Sequence, residues 1–393
     1  MSHALTSRSD DLRRLRNEGY EVAIVDNRLV VEHVPYVNAA GEVRFGTLVS
    51  ELSLAGDQTV RPGDHVIRFA GDKPCDHHGR PLTTLINSSI DERVDDSIRL
   101  RYLFSMKPDD GYRDYHHKIT TYVAMLEGHA AVLDPTATAR TYRLVENDDP
   151  DAVFRYLDTA SSRAGINDST AKLALDNVAI VGLGGSGAYI LDHIAKTPIR
   201  RIHLFDGARF RQHNAFRAPG ATSVGQLRRR LTKVAHYAEM YSAMRNGITE
   251  HPYYLDEGNV NDLQDMTFVF IAIDDGPPKR HIITALEAFG VPFIDVGMGL
   301  YNVDGAVGGI LRVTTSTPQQ RAHVHARRRI PLDNADPDDE YERNIQTGDL
   351  NSLNATFAVI RWRKLYGSYL DLGNEYHSTY TIGTGTLTGD DHA

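Results

Sequence analysis

The sequence predicts an α/β chain in two parts: a doubly wound domain, preceded by a smaller α+β domain with an antiparallel meander. Two patterns carry that expectation. Short β-rich runs separated by Asp-Asn, Ala-Gly and Pro-Gly punctuation fill residues 21–69, as successive antiparallel strands do. Beyond residue 175, short and fully apolar runs alternate with helix-compatible segments, the βαβ rhythm of a parallel sheet covered on both faces.

Taken in order, Asp11–Glu18 is a charged helix stopped by Gly19. The runs Glu21–Val25, Leu29–Val37, Val43–Leu54 and His65–Phe69 then give a meander of about four strands. The loop Pro74–Pro81, an acidic segment Asp91–Asp96 and a helix over Tyr112–Leu126 follow, and Asp148-Asp149-Pro150 reads as a linker. The first domain is therefore expected at 1–148 and the second at 156–393. In the second, Val178–Val181 is a strand, Gly182–Gly187 a glycine loop and Ala188–Lys196 a helix. Ile202–Phe205, Phe268–Ile273 and Phe293–Val296 continue the strand series, with helices at Leu231–Ala243 and His281–Phe289. Leu350, Leu353, Phe357 and Ile360 lie at helical spacing.

With 393 residues, 41% hydrophobic and 24% charged, the chain has the composition of a globular protein and not of a disordered or collagen-like one. Lysine plus arginine total 43 against 52 acidic residues, a net charge of -9. Polyanions need a cationic surface, so neither nucleic acid nor membrane is expected as a partner. The single cysteine, Cys75, excludes an internal disulfide and a zinc site built on several thiolates. A polar start and the lack of an apolar stretch of roughly 20 residues add the expectation of a cytoplasmic protein.

A strand, then G-x-G-G-x-G, then a helix is a phosphate cradle, because glycines let backbone N–H groups approach an anion and the helix N-terminus adds partial positive charge. Gly182, Gly184, Gly185 and Gly187 supply it, and Asp206 ends the next strand where a carboxylate can accept from ribose hydroxyls. This much suits NAD and ATP equally. The residues that follow favour ATP: Asn214-Ala-Phe-Arg217, then Lys233 opening a helix, then Asp274 after an apolar strand. An arginine and a lysine to hold a triphosphate, with an aspartate for Mg²⁺, is what adenylyl transfer requires. No Walker sequence is present, and NAD-dependent reduction ranks last.

This ordered set, over about residues 156–370, resembles the ThiF/MoeB/HesA adenylyltransferases, the fold of the ubiquitin-activating enzymes. The resemblance implies a Rossmann-like adenylation domain whose glycine loop holds ATP and whose Asp206 binds ribose. It assigns phosphate contacts to Asn214, Arg217 and Lys233, with Arg228 competing for the lysine's place, and Mg²⁺ to Asp274. It also implies a homodimer in which Arg163 reaches the partner subunit's ATP, and a helix over Asn344–Leu365 after a crossover loop. Three departures stand out. Ala208 replaces the second acid after strand two, no Cys-x-x-Cys pairs exist to hold zinc, and the adenylation domain has no cysteine nucleophile. The acyl adenylate must then pass to another acceptor.

His323, His325 and Arg327–Arg329, followed by acidic Asp333–Glu342, read as a solvated loop. The helix, meander, Pro-rich loop and helix of the first domain resemble ubiquitin-conjugating enzymes, and Pro74-Cys75-Asp76-His-His-Gly79 is loosely similar to the loop before their nucleophile. Cys75 and Thr83 are the candidate acyl acceptors, set against a thiol that packs inward. His77, His78, His116 and His117 read as non-ligands, since adjacent side chains diverge on strands and helices alike. The function expected is ATP- and Mg²⁺-dependent adenylation of a ubiquitin-like protein's C-terminal carboxylate, in a bacterial ubiquitin-like conjugation pathway. The alternatives are a peptide-modifying adenylyltransferase and a degenerate nucleotide-binding adaptor, the latter favoured by Ala208.

Overall fold

The computed structural model describes residues 9–56, 58–94, 97–147, 151–274, 276–332 and 345–392. The expected linker Asp148-Asp149-Pro150, the acidic run Asp333–Glu342 and Asn344 lie outside them. The chain divides into two compact units, Met1–Val145 with Thr159–Gly165, and Glu146–Asp158 with Ile166–Ala393.

The first unit opens with α1 (Asp10–Asn17), β1 (Glu21–Val25), β2 (Arg28–Val37) and β3 (Val43–Glu51). A small hairpin of β4 (Leu54–Ala55) and β5 (Gln58–Thr59) precedes β6 (Val66–Ala70). Then come β7 (Ile86–Arg93), β8 (Arg99–Ser105), α2 (Tyr115–Leu133) and α3 (Thr159–Ala164). The sheet runs β1-β2-β3-β6-β8-β7, antiparallel throughout. Leu12 and Leu15 of α1 and Ile119 and Tyr122 of α2 bury against Leu29, Val31, Phe69 and Phe104 of the strands. Of the acidic segment Asp91–Asp96, Asp95 and Asp96 lie outside the described residues, and Asp91–Arg93 form the end of β7 in the β7–β8 hairpin, a strand that was not expected. Its charges are cross-strand partners on an exposed edge: Asp91 meets Arg99 at 2.7 Å, and Glu92 meets Arg68 of β6 at 3.0 Å. Charge on an edge strand protects it from pairing with other chains, and it also hides the strand from a hydrophobic pattern search.

The second unit contains α4 (Asn167–Ala171), β9 (Asn177–Val181), α5 (Gly185–Ile194) and β10 (Arg201–Phe205). Short helices α6 (Gln212–Ala215) and α7 (Val224–Arg229) lead to α8 (Lys233–Ser242), β11 (Ile248–His251), β12 (Phe268–Ile271) and α9 (Pro277–Phe289). β13 (Phe293–Val303), β14 (Ala306–Ser316), α10 (Ala322–Ala326), α11 (Gly348–Leu365), β15 (His377–Thr381) and β16 (Thr386–Asp390) complete it. The sheet order is β11-β10-β9-β12-β13-β14-β15-β16. The first five strands are parallel, and β13 to β16 pair antiparallel. Val178, Ile180 and Phe270 face one apolar core with Trp362 of α11, while Ala179, Val181 and Ile271 face a second core with Ile282 of α9. Burial on both faces is why these strands read as unbroken apolar runs.

The described part of the region read as a solvated loop, residues 323–329, is not one. His323 and Val324 are buried in α10, and Arg327 and Arg329 pair with Asp391 at 2.7 Å each. No helix among the described residues is long and apolar enough to cross a membrane.

Candidate active site

At the end of β9 the backbone turns sharply toward α5. Gly182 has φ +89°, and a Cβ there would stand 2.4 Å from the Ala272 carbonyl oxygen, so only glycine fits. The helix begins at Gly185 with Gly184 as its N-cap, which splits the glycine motif by role. Gly185 and Gly187 are packing positions. A Cβ on Gly187 would sit 1.9 Å from the Gly182 oxygen, and one on Gly185 would strike the Asn351 side chain at 2.1 Å. Gly182 and Gly184 instead line a cavity of about 450 Å³. Open space surrounds the Gly184 Cβ position, beside helix N-terminal N–H groups that have no intrahelical acceptor.

The same cavity collects Asp206, Arg217, Lys233, Asp274 and Gln346. Asp206 is 6% exposed. One carboxylate oxygen accepts from Leu183 N at 2.7 Å and from Lys233 Nζ at 3.0 Å, and the other accepts from Ala208 N at 2.8 Å. A carboxylate has about four acceptor sites, so one remains. The Arg217 Nε atom is buried without a hydrogen-bond partner among the described residues, a state that costs free energy unless an anion or water completes it. Asp274 is exposed, three residues beyond the end of β12.

Asn214 does not line the cavity. It is buried, accepts from Arg211 N at 2.8 Å, and takes the Arg217 N–H on its carbonyl at 3.1 Å, so it shapes the turn that carries Arg217. Arg228 lines a separate cleft of about 1160 Å³ with Arg209 and Arg211. That cleft is larger but has no glycine cradle and no carboxylate, so the smaller cavity is the nucleotide candidate. Arg163 lies on α3 of the first unit, its guanidinium 5.8 Å from the ring centre of Tyr142. The apolar wall made by Phe205, Tyr253, Tyr254 and Pro278 went unread in sequence. Its one signal was the adjacent tyrosines after a Pro.

In the first unit, Cys75 is 1% exposed and bridges Val37 and Pro81. Its thiol donates to the Lys73 carbonyl at 3.4 Å. Burial, and then Asp76, push the thiol's pKa up, against a smaller pull from Lys73. A thioester needs an exposed, stabilised thiolate, so the geometry counts against Cys75 as acceptor, whereas Thr83 is exposed. The described residues contain no group of three or more His, Cys, Asp or Glu that could hold a metal ion.

Family models match twice: the ThiF family over residues 162–382, and a domain of unknown function (DUF6791) over residues 10–159. Among solved structures the chain is similar to PaaA, at 16% identity over 57% of this chain and 75% of that one, with a TM-score of 0.44. It is also similar to E. coli MccB crystallised with MccA-N7isoASN (14% identity, 60% and 70% coverage, TM-score 0.46) and with ATP (15%, 60% and 70%, TM-score 0.44). No curated protein sequence matches the chain. The ThiF match spans more than half of the chain, with the glycine loop and every polar cavity residue inside it, and the chain therefore belongs to the ThiF family of nucleotide-binding, ATP-using adenylyltransferases.

Proposed function

We propose that the second unit adenylates the C-terminal carboxylate of a ubiquitin-like protein, using ATP and Mg²⁺. The observation that carries this reading is the convergence of Gly182 and Gly184, Asp206, Arg217, Lys233 and Asp274 on one cavity from five separate stretches of the sequence. Arg217 brings an unsatisfied buried donor, which suits a phosphate oxygen. Lys233, held at Asp206, adds a second cation, and the Gly184 N-cap offers N–H groups for a phosphate. Asp206 keeps one acceptor site for a ribose hydroxyl.

Mg²⁺ fits the donor set, since this ion takes one or two carboxylates and fills its other positions with phosphate oxygens and water. Asp274 is the residue that would hold it. The metal, when bound, would neutralise charge on the phosphates during transfer. The substrate carboxylate oxygen attacks the α-phosphorus, the bond to the β-phosphate bridging oxygen breaks, and pyrophosphate leaves with that electron pair. The residues of this chain orient the triphosphate and offset its charge, which is where most of the rate of such a transfer comes from.

A homodimer with Arg163 serving the partner's site remains part of the reading, as does a conjugating-enzyme-like role for the first unit. The order of helix, meander and helix supports the latter. With Cys75 buried, the activated acyl group passes to Thr83 or to another protein. ATP–pyrophosphate exchange in the presence of ubiquitin-like proteins from neighbouring genes tests the reaction. Exchange that needs both the protein and Mg²⁺ is expected, and Lys233→Ala should lower it by about 10²–10³-fold. Exchange supported equally well by a short unrelated peptide would move the substrate to the peptide class. ATP that neither exchanges nor shifts the melting temperature would sink the proposal.

A further inference from the structure

A cleft of about 1160 Å³ in the second unit is lined by Arg209, Arg211, Arg228 and Arg230, with Phe216 and Val224 among its apolar residues. Its walls are two segments fastened together. Phe210 N donates to Leu231 O at 2.9 Å and Arg209 Nη1 to Arg230 O at 2.7 Å. Arg230 takes a left-handed φ of 49° to end α7, an unfavourable conformation for a residue with a side chain. The cleft is thus a built feature rather than a gap beside a loose loop.

Its charge pattern is selective. Of the three consecutive arginines at 228–230, Arg229 pairs with Glu239 at 2.7 Å and is the one that does not line the cleft. None of the four lining arginines has a carboxylate within ion-pair distance among the described residues. Guanidinium groups cannot shed their charge, so four of them repel one another across this cleft in a chain that is acidic overall. Such a cluster is complementary to an anionic partner. Phe216 and Val224 are 81% and 63% exposed, large apolar side chains beside the charges.

We propose that this cleft docks an acidic stretch of a partner polypeptide that also carries an exposed apolar side chain. Carboxylates pair with the guanidinium forks, and the apolar group covers Phe216 and Val224. A long polyphosphate fits less well, because the rest of the chain holds a larger negative excess than its net charge of -9 and repels any polyanion that extends beyond the cleft. The inference stands apart from the adenylation reading, since docking requires no ATP.

The test is fluorescence anisotropy with the full chain, no nucleotide, and three labelled probes of similar length: a random glutamate–tyrosine copolymer, polyglutamate and single-stranded DNA. The expected order of affinity is copolymer, polyglutamate, DNA, with binding weakened by salt. Arg211→Glu combined with Arg228→Glu should weaken copolymer binding by about tenfold or more. Arg229→Glu should leave it within about twofold, and Phe216→Ala should weaken the copolymer but not polyglutamate. Melting curves and light scattering accompany each variant. Equal binding by the double variant and the wild type overturns the proposal, as does tighter binding of DNA than of copolymer. A double variant that fails to fold shifts the decision to Phe216→Ala, where loss confined to the copolymer supports the proposal and no loss overturns it. A change of molecular mass in the double variant would instead make the cleft an interface between copies of this chain.

Discussion

Two lysine–aspartate pairs in the second unit have the same 3.0 Å separation and different surroundings. Lys233–Asp206 sits at the cavity of about 450 Å³ with 13% and 6% of the side chains exposed. Lys279 of α9 and Asp295 of β13 are 1% and 0% exposed, and Arg312 of β14 meets the other Asp295 oxygen at 2.8 Å. Distance alone says nothing about role here. Asp206 is satisfied by backbone N–H groups as well as by the lysine, so its cation can be lent to a ligand. Asp295 meets both cations by charge and proximity without an aligned hydrogen bond. Ion pairs of the second kind cost desolvation to make and are expensive to break.

The largest expected effect is therefore on folding. Asp295→Ala takes the shared carboxylate away from buried Lys279 and part-buried Arg312 and should lose about 3–5 kcal/mol of unfolding free energy in urea titrations. Lys233→Ala leaves Asp206 with its Leu183 and Ala208 donors and should lose only about 1–2 kcal/mol. Equal losses would erase the distinction between a lendable cation and a locked one.

The glycine motif allows the same separation within four residues. Gly187→Ala pushes a methyl into the Gly182 carbonyl, a backbone atom that cannot swing aside, and should cost about 1–3 kcal/mol. Gly184→Ala meets nothing within 4 Å and should melt like the wild type in the absence of ligand. Its effect belongs to the cavity, so the upward shift of melting temperature with ATP and Mg²⁺ should shrink. A Gly184→Ala protein that retains the full ATP shift would show that phosphate does not approach this turn.

What was legible in sequence follows burial. Val178–Val181 and Phe268–Ile271 announce themselves because both faces are packed, and the glycine loop and Asp206 follow at fixed offsets from the first of these strands. Several strands with one wet face were missed: β7 carries its charges outward, β14 opens on Ala306-Val-Gly-Gly, and β15 and β16 are rich in threonine. The tyrosines of the cavity wall were invisible for another reason. They are placed by the turn after β11, a four-residue edge strand whose pairing with β10 no local pattern reveals. The Lys279–Asp295–Arg312 group depends on register as well, with Asp295 opposite Ile271 across β12–β13 and Thr314 across β13–β14. Such contacts are products of the assembled sheet.

The most gradual expected effect concerns acid and the wall of the cavity. Tyr253 is held from behind by a row of side chains. His203 Nδ1 and His251 Nε2 are 3.1 Å apart, His251 Nδ1 is 3.0 Å from the Tyr253 hydroxyl, and that hydroxyl donates to Asp262 at 2.6 Å. Burial, and then the charges His251 and Arg201 would bring, lower the His203 pKa to about 4, whereas the unfolded chain titrates near 6.5. Between those values the unfolded state binds the extra proton, so this stabilisation is complete above about pH 6.5 and is lost as pH falls toward 4. One such group changes stability by at most about 1.4 kcal/mol per pH unit, and by less for a ring that keeps some solvent. His203→Phe preserves a ring to stack on His251 and removes the titration. The fall in unfolding free energy from pH 6.5 to 4 should then be shallower than in the wild type, with the remainder owed to other buried histidines such as His377, also lowered to about 4. Parallel curves for the two proteins would mean that His203 titrates alike in the folded and unfolded chain. The wall behind Tyr253 would then be open to water, and the cavity side of the sheet softer than its packing implies.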